Sequence, residues 1–166
     1  MRNAENRFMA NSLRKPIDHI LTEDEIAFVA QEAEAIGIPK ELLAFNEGSM
    51  TGFRDATRHI YIRGNVFPDV EYGFSARDLM SVRAVLAHEY YGHYRMCPSP
   101  HETGSWEDEF WASYKAAVDT PSLTLIDRRY LMIDAYDRAK NAGAFEGLTE
   151  EARRIIYGDN QHDGNA

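Results

Sequence analysis

Several features that tie a chain to a membrane, an export route or a disulfide framework are missing here. The 166 residues include a single cysteine, Cys97, so no internal disulfide can form. No apolar run approaches the roughly 20 residues that cross a bilayer, and the segment Met1–Arg7 leads into no apolar stretch of the kind found in signal peptides. These absences predict a cytoplasmic protein that does not interact with membranes.

Positive charge is also scarce. Lys and Arg total 18 against 27 Asp and Glu, which gives a formal net charge of −9 at pH 7. Binding to a nucleic-acid backbone depends on clustered basic side chains, so we expect no nucleic-acid partner. Solubility explains the acidic excess better. The remaining composition, 44% hydrophobic and 27% charged, is that of a soluble globular protein.

Helix caps, apolar periodicity and turn residues predict one domain of the α+β class. Residues 1–20 are polar and irregular and should form an arm, residues 21–158 a single domain, and residues 159–166 a flexible tail. Short strands are expected at 42–45, 49–53 and 59–63, in a small, mostly antiparallel sheet packed on a helical body. Helices are expected over 22–36, 76–96, 105–118, 124–141 and 149–158, each beginning at a Ser or Thr cap.

The helix predicted over 76–96 carries the motif on which the functional interpretation depends. His88, Glu89 and His93 lie together in a largely apolar part of this helix. A catalytic zinc ion requires three protein ligands and an open position for water. Two neutral imidazoles supply part of that set, and a neighbouring glutamate can take a proton from the activated water. The motif therefore predicts a Zn²⁺ site with His88 and His93 as ligands and Glu89 as general base.

The spacing of the two histidines differs from that of the common motif, in which they are four residues apart. Here they are five apart, and in a regular α-helix such positions point about 140° away from each other. A π-helical turn removes the mismatch because its period joins residues i and i+5, and Gly92 lowers the resistance to that distortion. The competing interpretation is a helix with two hydrogen-bonded histidines and no metal, which buries polar groups at a cost.

We predict Glu109 as the third metal ligand. It lies 21 residues after His88, at the start of a helix that can pack antiparallel to the first. Ala112 and Ala116 follow on nearby turns, and such small residues allow two helices to approach closely enough to share an ion. The helix dipole alone also favours an acidic residue at this position. The alternatives are Glu107, His101 and Cys97, while Asp108 is better explained as a helix cap.

A hydrogen-bond donor for the oxyanion of the transition state is also expected. Three tyrosines on downstream helices are suitable, and we predict Tyr130, with Tyr114 and Tyr136 as alternatives. The more common role of a buried tyrosine is packing. The pair Arg128 and Arg129 is suited either to a substrate carboxylate or to a solvated helix face.

At these residues the chain resembles the zincins, a broad class of zinc metallopeptidases, and Glu109 makes it similar to their gluzincin branch. The run His88-Glu89-Tyr90-Tyr91-Gly92-His93 is similar to the H-E-x-x-G-H motif of the dipeptidyl peptidase III family. The resemblance covers about residues 84–117 and implies a minimal zincin-like domain with a central metal-binding helix. It further implies an edge strand beside the metal that pairs with an extended peptide. The chain is far smaller than members of that family, so the resemblance extends to the site and not to the substrate.

Three functions follow as hypotheses. The first is a zinc-dependent metallopeptidase that acts on a peptide or protein substrate. The second is a non-catalytic zincin-like module that binds or regulates a partner protein, with structural zinc or none; a structural site should have a fourth protein ligand, such as Cys97 or His101. The third is a helical interaction domain without metal. Neither the substrate nor the oligomeric state follows from the sequence.

Overall fold

The computed structural model describes residues 13–158 and has one helix, then three short strands, then a mostly helical body. The sheet comprises β1 (Leu43–Phe45), β2 (Gly52–Arg54) and β3 (His59–Ile62). The helices are α1 (Glu23–Ala35), α2 (Ala76–Leu79), α3 (Val82–Ala87), a π-helix (His88–Tyr94), α4 (Trp106–Asp119), α5 (Leu125–Asn141) and α6 (Glu150–Tyr157). The prediction of the α+β class is confirmed. The predicted arm falls partly and the predicted tail (159–166) wholly outside the described residues, which begin at residue 13.

Side-chain caps fix where the helices begin, and five of the predicted caps are present. At each, a Ser or Thr hydroxyl accepts a hydrogen bond from the backbone N–H three residues on, which satisfies a donor that the helix itself leaves unpaired. The capping residues are Thr22, Ser75, Ser105, Thr124 and Thr149.

The prediction of one continuous helix over 76–96 is wrong. α2 ends at Leu79, and Ser81 caps a new helix by accepting from the N–H of Ala84. The Ser81 hydroxyl also donates to the carboxylate of Asp127, at 2.7 Å. This contact with α5 stabilises the non-helical backbone at Ser81. The segment that carries the motif therefore begins at Val82 and continues from α3 directly into the π-helix.

The sheet has the order β1–β3–β2, and its pairings differ from the mostly antiparallel sheet that was predicted. β3 pairs antiparallel with β2 and parallel with β1. Ile60 and Ile62 of β3 are fully buried, which accounts for the central place of this strand. β2 is consequently an edge strand, and its outer side faces the π-helix: the N–H of Phe53 donates to the carboxylate of Glu89 at 2.7 Å.

The helical body is organised around the pair α4 and α5, which run antiparallel. Glu109 at the start of α4 lies beside Arg138 near the end of α5, and Ser113 lies beside Asp134. The π-helix packs on α4, and residues 13–20 run along the sheet side, where the N–H groups of Arg14 and Lys15 donate to carbonyls of the 64–68 segment. Within residues 13–158, the helices are all too short or too polar to span a membrane.

Candidate metal centre

The π-helix brings the two motif histidines to the same side, as the five-residue spacing predicted. Its widened period shows in the backbone bond from the N–H of Arg95 to the carbonyl of Tyr90, five residues earlier. The Nε2 atoms of His88 and His93 lie 3.1 Å apart, and the two rings meet edge to face with centroids 4.8 Å apart. Both imidazoles therefore direct one nitrogen toward a common point.

Glu109 completes a group of three donors at that point. Its Oε2 lies 3.1 Å from Nε2 of His88, and its Oε1 lies 3.5 Å from Nε2 of His93. One ligand atom from each of the three residues falls within 4.8 Å of the others, so the group can hold a metal ion. In a tetrahedral zinc site with bonds of about 2.0–2.1 Å, neighbouring ligand atoms lie about 3.3 Å apart. The 3.1 Å separations of His88 Nε2 from His93 Nε2 and from Glu109 Oε2 are close to that value. The donor set suits Zn²⁺ and does not distinguish it from other divalent transition metals.

Close contact between the π-helix and α4 places Glu109 within reach of the histidines. A Cβ atom added at Gly92 would lie 2.5 Å from the carbonyl oxygen and 2.7 Å from the Cα of Ala112. Only a glycine permits two backbones to approach so closely. The expectation that small residues would bring these helices together is confirmed at Ala112, and Gly92 supplies the other half of the contact.

The other candidates for the third ligand lie near His88, His93 and Glu109 but are not part of that group. Glu107 precedes Glu109 by two residues, and the group excludes it. The thiol of Cys97 donates to Asp55 at 2.8 Å, and Cys97 and His101 both line a cleft that the metal group also borders. Asp108 is in the first turn of α4, where its carboxylate accepts from the N–H of Gly104. That carboxylate also lies 3.7 Å from Nδ1 of His93, which is an ion-pair contact too long for a hydrogen bond.

A chain of buried polar side chains lies behind His88. Nδ1 of His88 is 2.8 Å from the hydroxyl of Ser113, which donates to Asp134 at 2.6 Å. Arg138 donates from Nε to the same carboxylate oxygen at 2.9 Å, and its Nη1 lies 3.5 Å from Glu109. No motif or spacing in the sequence marks Ser113, Asp134 or Arg138 as part of the site. An Asp–Arg pair four residues apart on a helix resembles an ordinary surface ion pair, and only the pairing of α4 with α5 reveals its position.

The metal group opens onto a cleft of about 730 Å³. Glu89 lines this cleft together with the two histidines and Glu109, and so do the residues of the edge strand β2. The backbone N–H of Phe53 holds the Glu89 carboxylate in place. The structure thus brings Glu89 to the same cleft as the three metal-binding candidates, without placing it in their group.

Tyr130, predicted as the oxyanion donor, is not among the residues that line the cleft; it packs against the hydrophobic core. It lies on the same side of α5 as Asp134 and Arg138, but two helical turns, about 12 Å, before Arg138. Tyr114 hydrogen-bonds Thr149 and Glu151, and the Tyr136 hydroxyl accepts from the N–H of Thr149. Tyr130 therefore does not line the cleft, and the hydroxyls of Tyr114 and Tyr136 are bonded to the segment that begins α6.

The two adjacent arginines hold helix ends. Arg128 donates to the carbonyls of Ala117 and Thr120 at the end of α4, and Arg129 donates to the carbonyl of Ile155 in α6. These bonds satisfy carbonyls that a helix leaves unpaired at its C-terminus. Neither of the functions considered for the pair, a substrate carboxylate or a solvated face, matches these contacts.

Burial and the neighbouring charged groups act in opposite directions on the pKa values of Glu109 and His93. Burial disfavours a charged Glu109, but hydrogen bonds and attraction from His88 and His93 outweigh it and hold the pKa of this carboxyl far below its usual range. Burial likewise lowers the pKa of His93, while the hydrogen bond to Glu109 and the nearby charges of Glu89 and Asp108 raise it above the ordinary value. In the metal-free protein, His93 and Glu109 therefore favour an ion pair.

This ion pair predicts opposite pH dependences for the metal-free and metal-loaded protein. A raised folded-state pKa of His93 stabilises the fold below its unfolded pKa of about 6.5, and that contribution is lost as pH rises through the folded value. Glu109, with a lowered pKa, contributes fully above its unfolded pKa of about 4.5 and loses this contribution progressively as pH falls below that value. The melting temperature with chelator should therefore fall between about pH 6 and pH 8, whereas with zinc it should rise because the metal requires unprotonated imidazoles.

Thermal melts of the wild type and of Glu109→Gln, each with chelator and with zinc, check this prediction. The variant lacks the carboxylate that raises the pKa of His93 most, so its metal-free decline should be smaller than that of the wild type. A metal-free wild type that gains stability between pH 6 and pH 8 would contradict the ion pair.

Comparison of the chain with models of known protein families, with curated proteins and with solved structures finds no match in any of the three.

Proposed function

We propose that this protein is a zinc-dependent metallopeptidase with a zincin-like catalytic domain. The observation that carries the proposal is the His88, His93 and Glu109 group at the wall of a cleft that Glu89 also lines. Two imidazoles and a carboxylate are the ligand set of several zinc peptidases, in which three protein ligands leave a position for water or substrate. When bound, zinc supplies a Lewis acid that polarises a carbonyl group and lowers the pKa of a coordinated water.

Glu89 is the general base in this proposal. It follows a metal-binding candidate directly in the chain, and its carboxylate lies outside the donor group, where it remains available for a proton. The hydrogen bond from the Phe53 N–H fixes one carboxylate oxygen at 2.7 Å, which limits the positions of the other. Glu89 takes a proton from the attacking water and returns one to the leaving amine.

The substrate is a peptide segment in extended form. β2 is an edge strand that lines the cleft, and edge strands bind extended peptides through backbone hydrogen bonds. The Phe53 N–H, which donates to Glu89, does not take part in this pairing. A cleft of about 730 Å³ accommodates a few side chains of such a segment. Aromatic and apolar groups near β2, including Phe53 and the half-exposed Met50, favour apolar substrate residues there.

The alternative with structural zinc finds less support. A structural zinc site has four protein ligands as a rule, and the group found among residues 13–158 has three. Cys97, the soft donor most suited to a fourth position, donates its thiol to Asp55 instead.

The test is zinc content followed by hydrolysis. Protein purified without an affinity tag should bind one zinc per chain, melt at a higher temperature with zinc, and cleave members of a random peptide library. Chelation should abolish cleavage and zinc should restore it. Glu109→Gln should lose both zinc and cleavage, whereas Glu107→Gln, which changes charge in the same helix turn outside the donor group, should keep both. Stoichiometric zinc without hydrolysis of any peptide would refute the peptidase proposal and leave the metal site intact.

A further inference from the structure

The hydrogen bonds behind His88 determine which of its nitrogens carries the proton. The Ser113 oxygen lies 2.6 Å from an Asp134 carboxylate oxygen and 2.8 Å from Nδ1 of His88. An ionised carboxylate only accepts, so the single hydroxyl proton of Ser113 goes to Asp134. The hydroxyl oxygen then accepts from His88, which requires the proton on Nδ1. In the neutral form of His88, the form that binds a metal, this is the only N–H, and the lone pair of Nε2 is then left for an ion at the point shared with His93 and Glu109.

Because these groups are buried, water cannot easily replace the hydrogen bonds between them. Ser113 is 0% exposed and Asp134 is 4% exposed. The Ser113 hydroxyl cannot reach water without opening the contact between α4 and α5, so it depends on Asp134, which borders the cleft, as its acceptor. Fully satisfied polar chains of this kind restrict the orientation of their members more than exposed hydrogen bonds do.

Arg138 connects the same chain to the third metal-binding candidate. Its Nε donates to the Asp134 oxygen that accepts from Ser113, at 2.9 Å. Its Nη1 lies 3.5 Å from Oε2 of Glu109, the oxygen that also lies 3.1 Å from Nε2 of His88. One guanidinium thus balances the charge of Asp134 and restrains Glu109. The contacts therefore run from His88 through Ser113, Asp134 and Arg138 to Glu109. Both ends of this series belong to the metal group.

We propose that Ser113, Asp134 and Arg138 are positioning residues that set the tautomer of His88 and the orientation of Glu109 for metal binding. We call these three residues the relay. The inference rests on the proposed metal site and adds to it the groups that prepare two of its three ligands. Partners that orient metal-binding histidines typically change metal affinity by about 10- to 100-fold when they are removed.

The test measures zinc affinity by competition with a chromophoric chelator, and the visible absorption of the Co²⁺-substituted protein. Ser113→Ala should weaken zinc binding roughly 10- to 100-fold and alter the Co²⁺ spectrum, because Nδ1 loses its acceptor and either tautomer becomes accessible. Asp134→Asn keeps an acceptor for Ser113 without the charge, so its loss should be smaller. In the double variant the combined loss should be less than the product of the two single losses, because both act through one chain.

Two variants separate positioning from general loss of structure. Thr120→Val removes a buried hydroxyl from the end of the same helix. That hydroxyl has no hydrogen-bond partner among residues 13–158, and zinc affinity should stay unchanged. Ser113→Thr keeps the hydroxyl and should retain most of the affinity.

The possible failures of the test are distinguishable. A wild type that binds neither Zn²⁺ nor Co²⁺ refutes the metal site and the relay together. A wild type that binds zinc, with folded Ser113→Ala and Asp134→Asn variants of unchanged affinity and spectrum, refutes the relay alone. Single losses that multiply fully in the double variant also contradict it.

Discussion

Glu89→Gln should abolish peptide hydrolysis and leave zinc binding unchanged. The Glu89 carboxylate lies outside the donor group, so the metal keeps its three candidate ligands. Gln has nearly the same shape, and its amide oxygen can still accept the hydrogen bond from Phe53 that Glu89 accepts now. What the variant loses is the ability to take a proton at neutral pH, and a positioned general base contributes about 10²- to 10⁴-fold to the rate.

The measurement compares the hydrolysis rate, zinc content and melting temperature of the variant with those of the wild type, on any peptide that the wild type cleaves. Glu107→Gln is the matched control because it removes the same charge from a residue outside the donor group. A Glu89→Gln enzyme with normal turnover would exclude Glu89 as the base. Loss of zinc in this variant would instead indicate that Glu89 supports the metal site.

Local rules were sufficient to predict the metal group from the sequence. Two histidines five residues apart in an apolar helix share a site only if the helix widens, and Gly92 marked the place where it does. Glu109 followed from its position at the start of a capped helix. These inferences depend on contacts within one helix or between two neighbouring helices, which periodicity and caps describe well.

The features that the sequence did not predict depend on contacts between distant segments. The predicted long helix is interrupted at Ser81, which starts a new helix and whose hydroxyl donates a hydrogen bond to Asp127, 46 residues away. The relay exists because Ser113 and Asp134 face each other across two helices, and nothing in either helix alone specifies that register. Tyr130 is displaced from the cleft for the same reason: its place along α5 is set by how α5 pairs with α4. The parallel pairing of β1 with β3 likewise depends on which strand edge is free after β2 and β3 have formed a hairpin.

Gly92→Ala should destabilise the protein and eliminate high-affinity zinc binding, although the same substitution normally stabilises a helix. In an unconstrained helix, alanine is favoured over glycine by roughly 1 kcal/mol. Here the new methyl group would lie 2.5 Å from the carbonyl oxygen and 2.7 Å from the Cα of Ala112, far inside contact distance. Because both atoms belong to the backbone, the overlap is relieved only by moving the π-helix away from α4. Overpacking of this kind costs about 1–3 kcal/mol.

The same movement separates the histidines from Glu109, because the π-helix carries both rings and α4 carries the carboxylate. The free energy of zinc binding is therefore expected to decrease by more than the free energy of unfolding. Chelator competition and denaturant unfolding of the metal-free protein measure the two effects separately.

Gly52→Ala is the matched control, since a methyl group there meets its nearest neighbour, the Glu89 carboxylate, at 3.9 Å. Zinc affinity and stability should change little in this variant. Adding Ala112→Gly to Gly92→Ala should not restore zinc binding, because the obstructing atoms remain when the Ala112 side chain is removed. A Gly92→Ala protein with normal stability and zinc affinity would mean that the two helices do not need this close contact to form the metal group.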